Sequence, residues 1–299
     1  MPDIPADDLE QIEQWHFAVG GLDTQHETLT LGGPITLRRL RSFPTHEQLA
    51  LSLTSLPVAG AMALYGEKIV RHELVIDASR FEENAERIFP TAEAILAGLR
   101  IRTGAEIVCP AVCERSWAAL RTSPPNKCRA FHFERGLSHQ ATVQPKLLLA
   151  DDFDWVRNNL GTVIRLTDDE SFQTAVEALC TYMLASNDRM KVAQLWAGVE
   201  ALFDIEYELR YRLATLSAKL LGSSPLECRQ IYADMKGLYG ERSKIIHGKQ
   251  IGKKKDAHDG KVREHITRIR TRLAQLLTKL IALGKVPTEE EFEEMLFEK

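Results

Sequence analysis

Cysteine is scarce in this chain and does not pair off. Cys109, Cys113, Cys128, Cys180 and Cys228 are five in number and irregularly spaced. An odd, irregular set in so long a chain excludes a disulfide framework and leaves reduced thiols as the expected state. Aromatic residues make up only 7%, too few for an obvious platform on which bases of a single strand would stack. No run reaches the ~18 apolar residues that a membrane span needs. The N-terminal stretch MPDIPADDLEQIEQ is acidic and lacks an apolar core, so no signal peptide is expected. Positive charge is not in excess either: 38 Lys and Arg stand against 42 Asp and Glu, for a net charge of −4. Such a chain does not coat DNA as a whole, and any nucleic-acid contact has to rest on local charge. Walker A loop, dinucleotide fingerprint and Gly-x-Ser-x-Gly elbow are all missing. Cys109-x3-Cys113, with Cys128, His132 and His139 further on, matches no standard zinc spacing. No metal and no cofactor are expected, and the protein is expected to be soluble and cytoplasmic.

What is present is ordinary globular material, 44% hydrophobic and 27% charged, in 299 residues. At roughly 150 residues per domain that suggests two domains. Residues 1–165 read as an α+β domain, for sensing or substrate selection. Residues 27–31 (ETLTL) and 35–40 (ITLRRL) alternate around Gly32-Gly33-Pro34, a hairpin signal. Residues 69–77 (IVRHELVID) read as a longer strand, 82–99 as a helix, and 105–113 and 128–134 as further strands.

From Asp168 the texture becomes helical, and residues 166–299 read as an all-α bundle. Thr167-Asp168-Asp169-Glu170 supplies the acids of a helix start. Apolar residues then recur at helical spacing along 172–183, 190–203, 209–220 and 226–247, with Gly248 where a terminating glycine belongs. Residues 249–260 read as a charged loop. A long amphipathic helix then runs to Gly284, and Pro287 opens a short acidic one.

The segment with chemical potential is Gly237-Leu-Tyr-Gly-Glu-Arg-Ser-Lys-Ile-Ile-His-Gly248. Arg242 offers a planar cation able to hold phosphate oxygens in pairs. His247 offers an imidazole, the side chain suited to proton transfer near neutrality. Cleavage of RNA by its own 2′-hydroxyl needs both abilities and no metal. The bare Arg-x4-His pattern carries little weight. With 23 Arg and 9 His, about one match arises by chance, and Arg41…His46 is indeed a second copy, in a turn-like stretch around Pro44.

Context separates the two copies. The blocks Leu195-Trp-Ala-Gly-Val-Glu-Ala-Leu-Phe203, Tyr211-Arg-Leu-Ala-Thr-Leu-Ser-Ala-Lys-Leu-Leu-Gly222 and Leu238-Tyr-Gly-Glu-Arg-Ser-Lys-Ile-Ile-His-Gly248 resemble the Apea-like branch of the HEPN superfamily in order and spacing. The likeness covers roughly residues 189–250. The first 165 residues resemble, less specifically, the β-containing region that often precedes that domain. The resemblance implies a HEPN-type bundle of four or five helices that commonly dimerises. It implies a metal-independent endoribonuclease used as a toxin or in antiphage defence, leaving 2′,3′-cyclic phosphate and 5′-hydroxyl ends. Its Arg-x4–6-His element maps onto Arg242 and His247. A polar Asn, Asp or His commonly follows the Arg in active members, and here Ser243 stands in that place.

Helix geometry adds a constraint of its own. Five residues at 100° each set Arg242 and His247 roughly 140° apart, whereas Ser243 and His247 share a face. Arg242 has to curl round, the helix has to loosen near Gly248, or a second chain has to supply part of the site; the last is favoured, because two such helix ends meeting across a twofold axis would pool two Arg and two His. Around this element Ser243 is a candidate for orienting His247 or the phosphate. Glu200, in a largely apolar helix, is a candidate partner for an arginine such as Arg242 or a solvent-facing residue. Tyr239 serves packing and hydrogen bonding or the chemistry itself. Between Arg242 and Arg272 there are eleven basic and three acidic residues. Lys244, Lys249, Lys253, Lys254 and Lys255 are the expected RNA contacts in that stretch. The competing reading is a non-catalytic HEPN module that binds RNA, a nucleotide or a protein. The expected partners are RNA, a second copy of the chain and, in either reading, a regulatory protein, with no membrane.

Overall fold

The computed structural model describes residues 12–81, 85–122, 126–134, 144–203, 208–249, 251 and 255–297. They form two compact units, 1–160 and 161–299. The first is built on an antiparallel sheet and the second on helices, and no helix among the described residues is long and apolar enough to cross a membrane.

The sheet of the first unit runs in the order β3 (Thr28–Gly32), β4 (Ile35–Arg39), β5 (Val70–Asp77), β1 (Gln14–Gly20), β6 (Ala111–Cys113), β7 (Ala130–His132). All its neighbours pair antiparallel. A separate parallel pair joins β2 (Leu22–Asp23) to β8 (Lys146–Leu147). Trp15, Phe17 and Val19 of β1 face the same side as Leu74 and Ile76 of β5, where α3 (Ile88–Thr103) covers them with Ile88, Phe89, Ile95 and Leu99. Ala18 faces the other side, into a core with Leu49 of α1 (His46–Ser52), Val58 and Met62 of α2 (Leu56–Ile69) and Trp117.

Several expectations for this unit need correction. The stretches 105–113 and 128–134 contribute only the three-residue strands β6 and β7. Pro110 has no N–H to give a ladder, and the Cys109 N–H is taken by the Glu134 carboxylate at 2.7 Å. The helix read at 82–99 is a 3-10 turn at Ala85–Arg87 followed by α3, and residues 82–84 lie outside the described residues. The sequence pattern gives no mark of β1, because a strand buried on both faces does not alternate. It also missed α1, α2 and α4 (Ala150–Leu166), the last of which crosses the boundary between the units.

The second unit contains α5 (Glu170–Thr181), α6 (Asp188–Ala201), α7 (Leu209–Leu221), α8 (Pro225–Ile246), α9 (Lys255–Leu283) and α10 (Glu289–Phe297). Starts are set by capping side chains: Asp169, Asn187 and Ser224 each accept from a backbone N–H three residues on. α6 is the central member, packed against α5, α8 and α9. Its Val192, Leu195, Trp196 and Val199 are fully buried, as are Phe172 and Leu179 of α5 and Ile269, Leu273 and Leu276 of α9. Residues 249–260, expected as loop, are shorter than that: α9 begins at Lys255.

Candidate functional site

Helix α8 carries the Arg-x4-His element and decides where its two groups go. Its buried stripe is Ile231, Met235, Leu238 and Ile245. Arg242 falls in the same register, four residues after Leu238 and three before Ile245, so it points at the neighbouring helix α6. There it meets Glu200, which follows Trp196 by four on the buried stripe of α6. Arg242 Nη2 lies 3.0 Å from Glu200 Oε1 and donates to Oε2 at 3.2 Å. Arg242 Nη1 donates to the Tyr239 hydroxyl at 3.3 Å. The guanidinium sits 5.1 Å from the centre of the Tyr239 ring and 6.0 Å from that of Trp196. Both charged side chains are largely covered, with 22% and 26% of their surface exposed. Burial pushes the Glu200 carboxyl up and the arginine beside it pulls it back, with burial the stronger. Arg242 Nε is buried with no partner.

The pair belongs to a longer polar chain through the bundle. Trp196 packs edge-on against Tyr239, with ring centres 5.3 Å apart. The Trp196 indole N–H donates to His265 Nε2 at 3.1 Å. Since that nitrogen accepts, Nδ1 carries the proton and donates to Glu241 Oε2 at 3.1 Å. His265 is 1% exposed, and burial holds its imidazole below the ordinary value against the pull of Glu241. His265 was not singled out by sequence, although it occupies an apolar position of α9, three residues after Val262.

His247 is placed differently. It caps α8, with its N–H bonded to Ser243 O at 3.2 Å. Gly248 follows in the left-handed region at φ +71°. Its N–H bonds Ile245 O at 3.0 Å and that of Lys249 bonds Lys244 O at 2.8 Å. These two bonds close the helix as a Schellman motif. His247, Ser243, Lys244 and Lys249 are exposed. Among the described residues, no hydrogen bond or ion pair engages the His247 imidazole. The structure therefore joins Arg242, Glu200 and Tyr239 on the covered face of α8, and leaves His247 and Ser243 on its open end.

The basic stretch is less free than its composition suggests. Arg268 and Arg272 both bind Asp234, the latter at 2.8 Å, and Arg270 donates to the Tyr182 hydroxyl at 3.0 Å. With Arg242 also paired, four of the eleven cations are engaged by other side chains of the bundle. Lys253 and Lys254 lie outside the described residues, and Lys255 opens α9.

A cation that sequence reading passed over stands over Gly248, the residue that follows His247. Arg189, in the first turn of α6, is exposed and has no ion pair among the described residues. Its guanidinium packs over Gly248, where a Cβ would come within 3.2 Å of Arg189 Nη2. Nothing in the local pattern marks it, because the contact joins helix ends 59 positions apart.

No protein-family model, curated protein or solved structure matches this chain.

Proposed function

We propose that the helical unit is a HEPN-type, metal-independent endoribonuclease acting in defence or stress. The observation that carries this reading is the exposed imidazole of His247, unengaged among the described residues, at a helix end closed by a Schellman motif, with the Arg189 guanidinium over the following Gly248. A general acid or base has to reach substrate, and this end of α8 exposes the imidazole on a backbone fixed by hydrogen bonds. In the reaction the 2′-hydroxyl gives up its proton and its oxygen bonds to phosphorus. The P–O5′ bond breaks, and the departing oxygen takes a proton. The products are a 2′,3′-cyclic phosphate and a 5′-hydroxyl. His247 transfers one of these protons. On its own helix Arg242 points away from His247 and is held by Glu200, so it reaches a phosphate only if that pair opens; two α8 ends meeting about a twofold axis would then bring each Arg242 to the other chain's His247.

Total RNA incubated with the full chain in EDTA, and resolved on a gel, tests the reading. Cleavage is expected with the native chain, with a loss of at least about a hundredfold in His247→Ala. Native-level cleavage by that variant rules out the assignment.

One observation favours a second reading. The Arg242–Glu200 pair, sandwiched by Tyr239 and Trp196, serves the packing of α6 on α8 without any substrate. On that reading the bundle binds RNA and leaves it intact, and the same gel, with a mobility shift and no cleavage, identifies it.

A further inference from the structure

Beside the end of α8 lies an open cleft of about 560 Å3, lined by Asn187, Asp188, Arg189 and Met190 at the start of α6, Ile245 and Gly248 at the end of α8, and His258, Asp259 and Val262 from α9. Its apolar wall comes from Met190, Ile245 and Val262. Its charged groups are of both signs, which argues against a plain phosphate site. Two of the polar groups are already occupied. The Asn187 carbonyl oxygen caps α6 by accepting from Met190 N–H at 3.0 Å, and Asp188 is paired with Lys191 at 3.2 Å. The other three have capacity left. Arg189 and the Asp259 carboxylate have no ion pair among the described residues. His258 accepts the Ile251 N–H on Nδ1 at 3.2 Å, so its neutral imidazole carries the proton on Nε2 as a donor.

An apolar wall with one cation, one carboxylate and one N–H donor is complementary to a nucleotide. A base is flat and apolar on its faces. Its edge carries amino groups that a carboxylate accepts from, and its phosphate takes an arginine. We propose that this cleft seats one nucleotide of single-stranded RNA adjoining the phosphate at His247. The base lies against Met190, Ile245 and Val262, its amino edge meets Asp259, and its phosphate meets Arg189. The proposal rests on the ribonuclease reading for the identity of the substrate and adds a preference to it. Cytosine, adenine and guanine carry an exocyclic amino group and uracil does not, so Asp259 selects against uridine.

Equilibrium binding of labelled oligocytidylate, oligoadenylate and oligouridylate, each 2′-O-methylated so that it cannot be cleaved, to the full chain in EDTA tests this, over a range of salt. The expected result is that oligocytidylate and oligoadenylate bind about tenfold more tightly than oligouridylate, and that Asp259→Asn narrows the difference. Arg189→Gln is expected to weaken all three alike and to lower the salt slope by about 1. Equal binding of the three by the native chain overturns the proposal. So does an unchanged preference in Asp259→Asn, or an unchanged slope in Arg189→Gln. Competition by cytidine or adenosine monophosphate at lower concentration than the oligonucleotides would make the site one for a free nucleotide, which also overturns it. Cleavage is scored separately with His247→Ala. A native chain that binds with the stated preference and does not cleave keeps the cleft and refutes the nuclease. A chain that cleaves without preference does the reverse.

Discussion

Arg242 occupies a position that the apolar register of α8 would normally give to a leucine. It is tolerated there because Glu200 from α6 meets it with both oxygens and two aromatic rings cover it. Removing one member of such a pair leaves the other charge covered and uncompensated. Both side chains keep about a quarter of their surface, so the cost lies between that of an exposed pair and a buried one. Glu200→Ala is expected to lower unfolding free energy by about 1–2 kcal/mol, read from denaturant titration. An effect near zero would show that the pair is idle. In the sheet unit a second covered group sets a pH dependence. His72 is fully buried with neither ring nitrogen hydrogen-bonded, and burial lowers its pKa to about 4 from 6.5. Between those values the unfolded chain binds a proton that the folded one refuses, so stability rises with pH across the window. The change is roughly 3 kcal/mol for this residue. His265 is lowered in the same direction, so His72→Leu flattens the profile only in part. A profile identical to the native one would remove His72 as a cause. Glu73 does not confuse the result. Burial raises its carboxyl, but the His16 ring 3.4 Å away and hydrogen bonds from the Ser116 hydroxyl and the Trp117 N–H outweigh that. Its contribution is lost only below its unfolded value of 4.5.

At the scale of elements, the helical unit was legible because its helices are amphipathic and punctuated. Asp169, the Gly222-to-Pro225 break, Gly248 and Gly284 all stand at helix ends, and the stripes of α6 to α9 follow the 3.6-residue period. The sheet unit was legible at the β3–β4 hairpin and at β5, and not at β1, where burial on both sides erases the period. In the candidate site, the pairing of Arg242 with Glu200 could be read from their stripes, since each interrupts an apolar register on a helix that must face another. Arg189 and His258 could not, because they meet α8 through helix ends whose approach only the assembled bundle sets. One close approach the sequence also hides is Gly198 on α6. A Cβ there would lie 2.6 Å from Ala178 Cβ and 3.2 Å from Leu273 Cδ2, so α5 and α9 both close on this point. Gly198→Ala is expected to destabilise by about 1–3 kcal/mol despite the better helix propensity of alanine. A more stable variant in thermal or denaturant unfolding would contradict the packing described.

For the whole molecule, the proposed activity turns on His247 as a proton-transfer group completed by a second copy. Mixed His247→Ala and Arg242→Gln chains, each inactive alone, are expected to recover part of the native cleavage, because one of the two sites in a mixed dimer retains both groups. Failure to complement would place the site within one chain. The most direct measurement is the chemistry of the ends. A defined single-stranded oligoribonucleotide is incubated with the native chain in EDTA, and the products are identified by mass. The expected products carry 2′,3′-cyclic phosphate and 5′-hydroxyl termini and are absent with His247→Ala. Fragments ending in 3′-hydroxyl and 5′-phosphate, or the same products at the same rate from the variant, would contradict the proposed activity.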